Sequence, residues 1–246
     1  MDLKIKDVAE LLNVSEKTIR RWLADGKIPA YRLNSQYRFS RIEIENWVMS
    51  CKLNKDETSP LGFTEALSTT ASHETNSEDN EENDNAEPKI GLQQFSLYRA
   101  IHKGGVLRAI AGLSKEEIIS NTVKQSARIL GCDADVLTEL LLDREKLMPT
   151  ALNHGVAVPH TREFVFKGPF DVVIVVFPEK PIEYGALDGN PVHTLFFLFA
   201  SGDKHHLHLL AKIAHLSSNE KMLQFLKSRP DKQTFLECMQ EWEANL

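Results

Sequence analysis

Between Thr64 and Pro88 the chain carries eight acidic residues, no Lys or Arg, and no Phe, Tyr or Trp. A segment of that kind cannot bury enough apolar surface to offset the entropy lost on ordering it. It predicts a disordered linker, densest in Ser, Asn, Asp and Glu from Ser77 to Glu87. An acidic tail that imitates nucleic acid is the alternative reading of such a charge run. The composition shifts on either side set three parts: a small head at 1–53, the linker at 54–89 and a larger unit at 90–246.

The same division reinterprets the net charge. Taken whole, 29 Lys+Arg against 35 Asp+Glu give −6, which argues against nucleic acid as a partner. The head, however, holds ten basic and seven acidic residues, a net of +3, while residues 54–89 carry a net of −8 and the remainder a net of −1. The acidic segment is long enough to fold back on the head, so deleting Ser77–Glu87 is expected to tighten any DNA binding at low salt. At 42% hydrophobic the chain builds an ordinary globular core. No apolar run approaches the ~20 residues of a membrane span, and the start Met1-Asp2 has no signal-peptide pattern; a cytoplasmic protein is expected. Cys51, Cys132 and Cys238 are far apart, with no CxxC pair, so neither a disulfide scaffold nor a Cys-based zinc site is indicated.

In the head, Val8, Leu11 and Leu12 repeat at helical spacing after Asp7, Asn13 suits a tight turn, and Ser15 is placed to cap a second helix. That helix turns Ile19, Trp22 and Leu23 inward and ends near Gly26, and the small Ala9 lies where the two helices cross. Ile28–Leu33, a turn at Asn34-Ser35 and Tyr37-Arg38-Phe39 read as a hairpin. Ser40 to Glu43 is a capping box for a third helix with Ile44, Trp47 and Val48 as its buried stripe. The unit is a winged helix-turn-helix.

Lys17, Thr18, Arg20 and Arg21 lie on the polar side of the second helix, with Arg32, Gln36, Tyr37 and Arg38 on the hairpin and Arg41 beyond it. A helix in the major groove needs such groups for phosphates and base edges; the alternative is a merely solvated basic face. Asp7-Val8-Ala9-Glu10-Leu11-Leu12, Thr18-Ile19-Arg20-Arg21-Trp22 and Gly26-Lys27-Ile28-Pro29-Ala30 resemble the excisionase/MerR-type DNA-binding domain. Lys4 and Asn13 depart from its usual Thr or Ser and Gly. The resemblance implies that 15–24 supply the recognition helix and that Tyr37 and Arg38 sit in a wing near phosphates.

In the larger unit a second capping box, Ser114 to Glu117, opens a helix with Ile118, Ile119, Val123, Ala127 and Leu130 inward and Gly131 as its stop. Another passes through Val136, Leu137, Leu140 and Leu141 toward Arg144, and Val136, Leu140 and Phe196 are assigned to the core. Continuous apolar runs at Val172–Phe177 and Leu195–Phe199 predict buried strands. Helices follow at His206–Leu216, Glu220–Lys227 and Thr234–Trp242. The order predicts an α/β fold, a central mixed sheet flanked by helices.

Gly155-Val156-Ala157-Val158-Pro159-His160 delivers a histidine at a strand end on a backbone stiffened by Pro. A neutral imidazole nitrogen is a competent phosphoryl acceptor, and such transfer depends on positioning and on positive charge. Arg144 supplies that charge, and His206 follows Gly202-Asp203 at a helix start, where free backbone N–H groups favour anions. The plainer alternative for His160 is a core-edge histidine.

Arg144-Glu145-Lys146, Thr150, the 155–160 hexapeptide, Pro181-Ile182, Leu187–Val192 and His206-Leu207-His208-Leu209-Leu210 resemble, in order and spacing, the type-2 enzyme IIA domain of the bacterial phosphoenolpyruvate:sugar phosphotransferase system, in its fructose/mannitol and nitrogen-regulatory branch. The resemblance implies that His160 accepts a phosphoryl group from the phosphohistidine of a carrier protein, that His206 and Arg144 hold it, and that no metal or organic cofactor is needed. Thr161 stands where the regulatory branch often has Gly.

The leading expectation is a DNA-binding regulator controlled by phosphorylation of His160, with a phosphohistidine carrier and DNA as partners, no membrane, and room for a homo-oligomer. One alternative is a phosphocarrier serving a separate transporter, the head being an interaction module. The other is a metal sensor built from the cluster His205, His206, His208 and His215, in which His205 lies beside His208 and His208 shares a helical face with His215; His154 and His193 have no assigned role.

Overall fold

The computed structural model describes residues 2–12, 14–33, 36–50, 96–161 and 169–245. The predicted linker, the turn residues Asn13, Asn34 and Ser35, and Cys51 lie outside them. Near the N-terminus come β1 (Asp2–Leu3), α1 (Ile5–Leu12), α2 (Glu16–Ala24), β2 (Tyr31–Leu33), β3 (Gln36–Ser40) and α3 (Arg41–Ser50). Ser15 caps α2 as predicted, its side chain accepting from the N–H of Thr18, and Gly26 adopts the left-handed φ of 65° just past the helix end. Strand β3 is central in a three-stranded antiparallel sheet, flanked by β1 and β2. Val8, Leu12, Ile19, Trp22, Phe39, Ile44 and Val48 form the core of this winged helix-turn-helix, and the Trp22 and Trp47 rings stand 5.5 Å apart. Ser40 closes β3, and the third helix starts at Arg41, the residue after its predicted cap.

The larger unit comprises α4 (Ser96–Gly104), β4 (Gly105–Ile110), α5 (Lys115–Leu130), α6 (Ala134–Leu147), β5 (Val156–Ala157), β6 (Val172–Pro178), β7 (Thr194–Phe199), α7 (Asp203–Ser217), α8 (Glu220–Lys227) and α9 (Lys232–Ala244). The sheet runs β4-β6-β7-β5. Its central pair is antiparallel, with Val172 opposite Phe199, and each edge strand is parallel to its neighbour. The apolar runs are continuous because both faces are covered. Val173, Val175, Phe177, Phe196 and Leu198 face α4, α7, α8 and α9, while Val172, Ile174, Val176, Leu195, Phe197 and Phe199 face α5 and α6.

Helix α5 begins at the predicted capping box: Ser114 Oγ accepts the N–H of Glu117, whose carboxylate accepts the N–H of Leu113. It ends at Gly131 in the left-handed conformation. Two core assignments are corrected: Val136 is 52% exposed and Leu140 is half-buried, because α6 rests on the sheet through Leu137 and Leu141 and turns the neighbouring positions outward. Helices α1 and α3 of the N-terminal unit lean against α7, so that its apolar core and the first face of the sheet form one connected cluster.

Candidate functional site

The site is assembled where the last turn of α6, the strand ending at Pro159-His160 and the first turn of α7 converge. Arg144 and Glu145 leave α6 side by side, both buried. Glu145 turns back on the following loop, accepting the N–H and the hydroxyl of Thr150. Thr150 O in turn accepts the N–H of Val158, and Pro159 O that of Leu198. His160 is thereby laid against β7, bridged in parallel to Leu198. Gly155 makes the preceding bend, with φ 76° and no space for a side chain: a Cβ there would lie 2.6 Å from His193 Cδ2.

His160 Nδ1 lies 2.8 Å from the carbonyl of Val158, an acceptor only, and so carries the ring proton of the neutral form. Nε2 is left with its lone pair, and the Nε–H of Arg144 donates to it at 3.2 Å. Arg144 is fully buried, and its Nη1 donates to Met148 O at 2.9 Å, which fixes the guanidinium plane. The His206 ring packs edge-on against His160 with centroids 4.9 Å apart. Burial above all, then the charges of the neighbouring Arg41 and Arg144, pushes the His206 pKa down to about 3 against the raising effect of Glu45, so this ring is neutral near pH 7. His206 lies one turn into α7, which starts at Asp203, and its N–H already donates to Gly202 O. The imidazole, not a free backbone N–H, faces the site. The three predicted residues His160, His206 and Arg144 thus meet in one buried cluster whose available chemistry is a nitrogen nucleophile beside a fixed cation.

A fourth residue completes the cluster and was not singled out from the sequence. Glu45, on α3 of the N-terminal unit, is 5% exposed. Its Oε2 lies 3.6 Å from His160 Nε2 and 3.9 Å from Arg144 Nη2, and its Oε1 lies 3.6 Å from His206 Nε2. Burial alone would raise the Glu45 carboxyl, but its contacts with His160, then with His206 and Arg41, hold it well below its ordinary value. Arg41 Nε donates to Glu45 Oε1 at 2.9 Å while its Nη1 pairs with Asp203 at the start of α7. Arg41, grouped with the DNA-facing residues by its position after the hairpin, therefore joins the two units instead. Nothing in the sequence of α3 singles Glu45 out, since its burial comes from the surface of α7 on which that helix rests.

The predicted nucleic-acid contacts of α2 and the hairpin are not part of this buried cluster. Lys17, Arg20, Arg21, Arg32 and Tyr37 are exposed, and Thr18 and Arg38 are partly buried. Arg20 pairs loosely with Glu16 at 3.6 Å, Arg32 stacks over Tyr37 at 6.0 Å, and Arg38 donates to Gln36 Oε1 at 2.8 Å. The histidines of the metal-sensor alternative are not brought together. His205 turns to Asp171 at 3.0 Å and His215 packs on Trp242. Among the described residues the grouping with metal-ligand spacing is Glu45, His160 and His206, where Arg144 already donates to the shared nitrogen.

Residues 100–242 match the family model for the phosphoenolpyruvate-dependent sugar phosphotransferase system, EIIA 2, and residues 3–52 match a helix-turn-helix domain. The nitrogen regulatory protein of Pseudomonas aeruginosa is 32% identical over 137 residues, 54% of this chain and 88% of that protein; that of Bradyrhizobium diazoefficiens is 31% identical over 130 residues, 52% and 84%. The transcriptional repressor DcmR of Methylorubrum extorquens is 43% identical over 58 residues, 24% of this chain and 22% of the repressor. Among solved structures, the nitrogen regulatory protein IIA-Ntr from Neisseria meningitidis superposes with a TM-score of 0.50 at 26% identity, covering 56% of this chain and 93% of that one.

Proposed function

Starting from the premise that this chain belongs to the EIIA type-2 family of the phosphoenolpyruvate-dependent sugar phosphotransferase system and carries a helix-turn-helix domain ahead of it, we propose that it is a DNA-binding regulator controlled by phosphorylation of His160. The observation that carries this reading is the orientation of one ring: Nδ1 is tied to Val158 O, and the lone pair of Nε2 points at the Arg144 guanidinium. In the transfer, the bond between phosphorus and the carrier's histidine nitrogen breaks, and a bond from phosphorus to His160 Nε2 forms. The carrier's imidazole keeps the released electron pair, and the proton on His160 Nδ1 stays on its carbonyl. Arg144 offsets the charge of the transferring group, which is where catalysis of such transfers resides. Neutral His206 gives that group an edge to lean on without competing for it. Glu145 and Thr150 act as positioning residues, since they touch the loop and not the acceptor nitrogen.

In the N-terminal unit, Lys17, Thr18, Arg20, Arg21, Tyr37 and Arg38 are the proposed DNA contacts, with the exposed cations of α2 as the part that enters the major groove. The likeness of this region to part of a transcriptional repressor supports that assignment. No helix among the described residues is long and apolar enough to cross a membrane, and cytoplasmic work with soluble partners is the proposed setting.

The test is incubation with the general phosphotransferase proteins and labelled phosphoenolpyruvate. Wild-type protein takes up acid-labile label and His160→Ala does not; label that survives the substitution overturns the assignment. Mobility shift with genomic fragments tests the other half, and a labelled protein that binds no DNA at low salt is a phosphocarrier serving a separate transporter.

A further inference from the structure

We propose that the N-terminal unit is a cap on the phosphorylation site, in which the Glu45 carboxylate stands where the phosphoryl group would sit, so that docking of α3 and phosphorylation of His160 exclude each other. The proposal rests on the reading of His160 as phosphoryl acceptor and adds to it the ligand that the site holds when it is unphosphorylated.

Three observations carry it. First, the carboxylate faces the three groups that would hold a phosphoryl group, with oxygens 3.6 Å from His160 Nε2, 3.6 Å from His206 Nε2 and 3.9 Å from Arg144 Nη2. Among the described residues Arg144 Nη2 has no hydrogen-bond partner, and the Glu45 carboxylate is the anion within 4 Å of it. Second, the cap closes the site. With α3 in place His160 is 1% exposed, His206 2% and Arg144 not at all, and no carrier protein can bring a phosphorus atom to Nε2. Third, the contact is built at more than one point. Arg41 orients Glu45 from one side and pairs with Asp203 from the other, and α1 and α3 both rest on α7.

The site favours an anion over a cation because a fully buried guanidinium already donates to the nitrogen that a metal ion would need. A phosphoryl group on Nε2 would bring three oxygens and close to two negative charges against the Glu45 carboxylate. Two anions at that spacing in a buried site repel strongly, so one must leave, and the covalently bound one stays. The head then stays joined to the larger unit through the chain between Ser50 and Ser96. Lys17, Arg20, Arg21 and Arg32 are exposed in the docked arrangement. Phosphorylation therefore frees the whole head from a fixed placement on α7 and does not uncover the recognition helix.

The experiment uses the full chain in wild-type, Glu45→Gln and Glu45→Ala forms. Spin labels at the exposed positions 17 and 221 report docking as a narrow distance distribution, and labelled phosphoenolpyruvate with the general phosphotransferase proteins reports the rate at His160. The cap predicts a narrow distribution in the unphosphorylated wild type that broadens on phosphorylation, is already broad in Glu45→Ala, and is intermediate in Glu45→Gln. Labelling should be about tenfold faster in Glu45→Ala than in wild type, within the usual range of coupling between sites. Equal labelling rates in wild type and Glu45→Ala, or a distribution unchanged by phosphorylation, overturn the cap while leaving His160 as acceptor. No label in any form overturns the acceptor reading and the exclusion with it, even where the distances show the head docked. Zinc bound stoichiometrically by wild type and lost in Glu45→Ala makes the cluster a cation site and overturns the carboxylate plug.

Discussion

Glu45 and His160 belong to different units of the chain, yet a carboxylate oxygen of one lies 3.6 Å from Nε2 of the other. That nitrogen therefore has two charged neighbours, the Arg144 guanidinium that donates to it and the Glu45 carboxylate beyond. Arg144 joins the two halves of this arrangement. It is a cation buried to zero exposure, which is tolerated only where an anion and hydrogen-bond acceptors surround it.

His206 makes stability sensitive to mild acid. Its folded-state pKa is depressed to about 3 from 6.5, so below pH 6.5 the unfolded chain binds a proton that the folded chain refuses. The stability is fully present above that pH and falls by about 1.4 kcal/mol per pH unit below it. Glu45, also depressed, loses its contribution only below its ordinary value of 4.5, which leaves the interval between to His206, the more strongly depressed, and to His193, also lowered by burial. Urea unfolding at pH 7 and pH 5 should differ by about 2 kcal/mol, and His206→Asn should remove most of that difference. A wild-type protein equally stable at both pH values contradicts the assignment.

Gly155 and Gly131 both have left-handed φ, but only one is hemmed in. Alanine at 131 meets nothing within 4 Å and should cost about 1 kcal/mol from the backbone alone. Alanine at 155 would also press on His193 and on the carbonyl of Pro191 at 2.9 Å, raising the loss to about 2–4 kcal/mol. Because this bend leads into the strand that carries His160, Gly155→Ala should slow phosphoryl uptake as well, while Gly131→Ala should not. Equal denaturation midpoints for the two variants would remove the steric part of the argument.

What the sequence made legible follows a physical rule. The strands β6 and β7 and the helices α5, α7, α8 and α9 announce themselves through apolar runs, caps and period. Strand β4 and helix α4 went unassigned because β4 is a short edge strand whose Arg108 and Ala109 are exposed and whose register shifts beside Ala109, at φ 55°. His160, His206 and Arg144 were found through motif and spacing. Glu45 was not, because its meaning depends on which surface α3 rests against, and periodicity within one helix carries no information about contacts with a distant segment. Val136 was misassigned for a related reason: apolar character marks a candidate for burial, and only packing decides which candidates are used.

Glu243 ties three helices together. Its carboxylate pairs with Lys212 of α7 and accepts the N–H groups of Leu97 and Tyr98 at 3.1 and 2.7 Å, in the first turn of α4. Glu243→Ala strands a buried cation and two helix N–H groups together and should cost about 3–5 kcal/mol. Lys212→Met leaves the carboxylate its two N–H donors and should cost less, about 1–3 kcal/mol. Chemical denaturation of the full chain orders the two; a larger loss for Lys212→Met would mean that the ion pair, and not the capping of α4, is the main contribution.

Arg20 and Arg21 separate a DNA-binding surface from an ordinary solvated one. Both are exposed, and the surface pair between Arg20 and Glu16 is weak enough to contribute at most about 1 kcal/mol, so their replacement should leave folding almost unchanged. If each neutralises one phosphate, Arg20→Ala with Arg21→Ala lowers the slope of log K against log salt by about 2, in addition to weakening binding at any one salt concentration. Arg41→Ala should behave in the opposite way. It breaks the link between Asp203 and Glu45, changes the placement of the head, and leaves the salt slope intact. Fluorescence anisotropy on a genomic fragment across a salt series reads both quantities at once. A slope that stays constant in the Arg20, Arg21 double variant would move the phosphate contacts off α2 and toward the hairpin, where Arg32 and Arg38 would be next to replace.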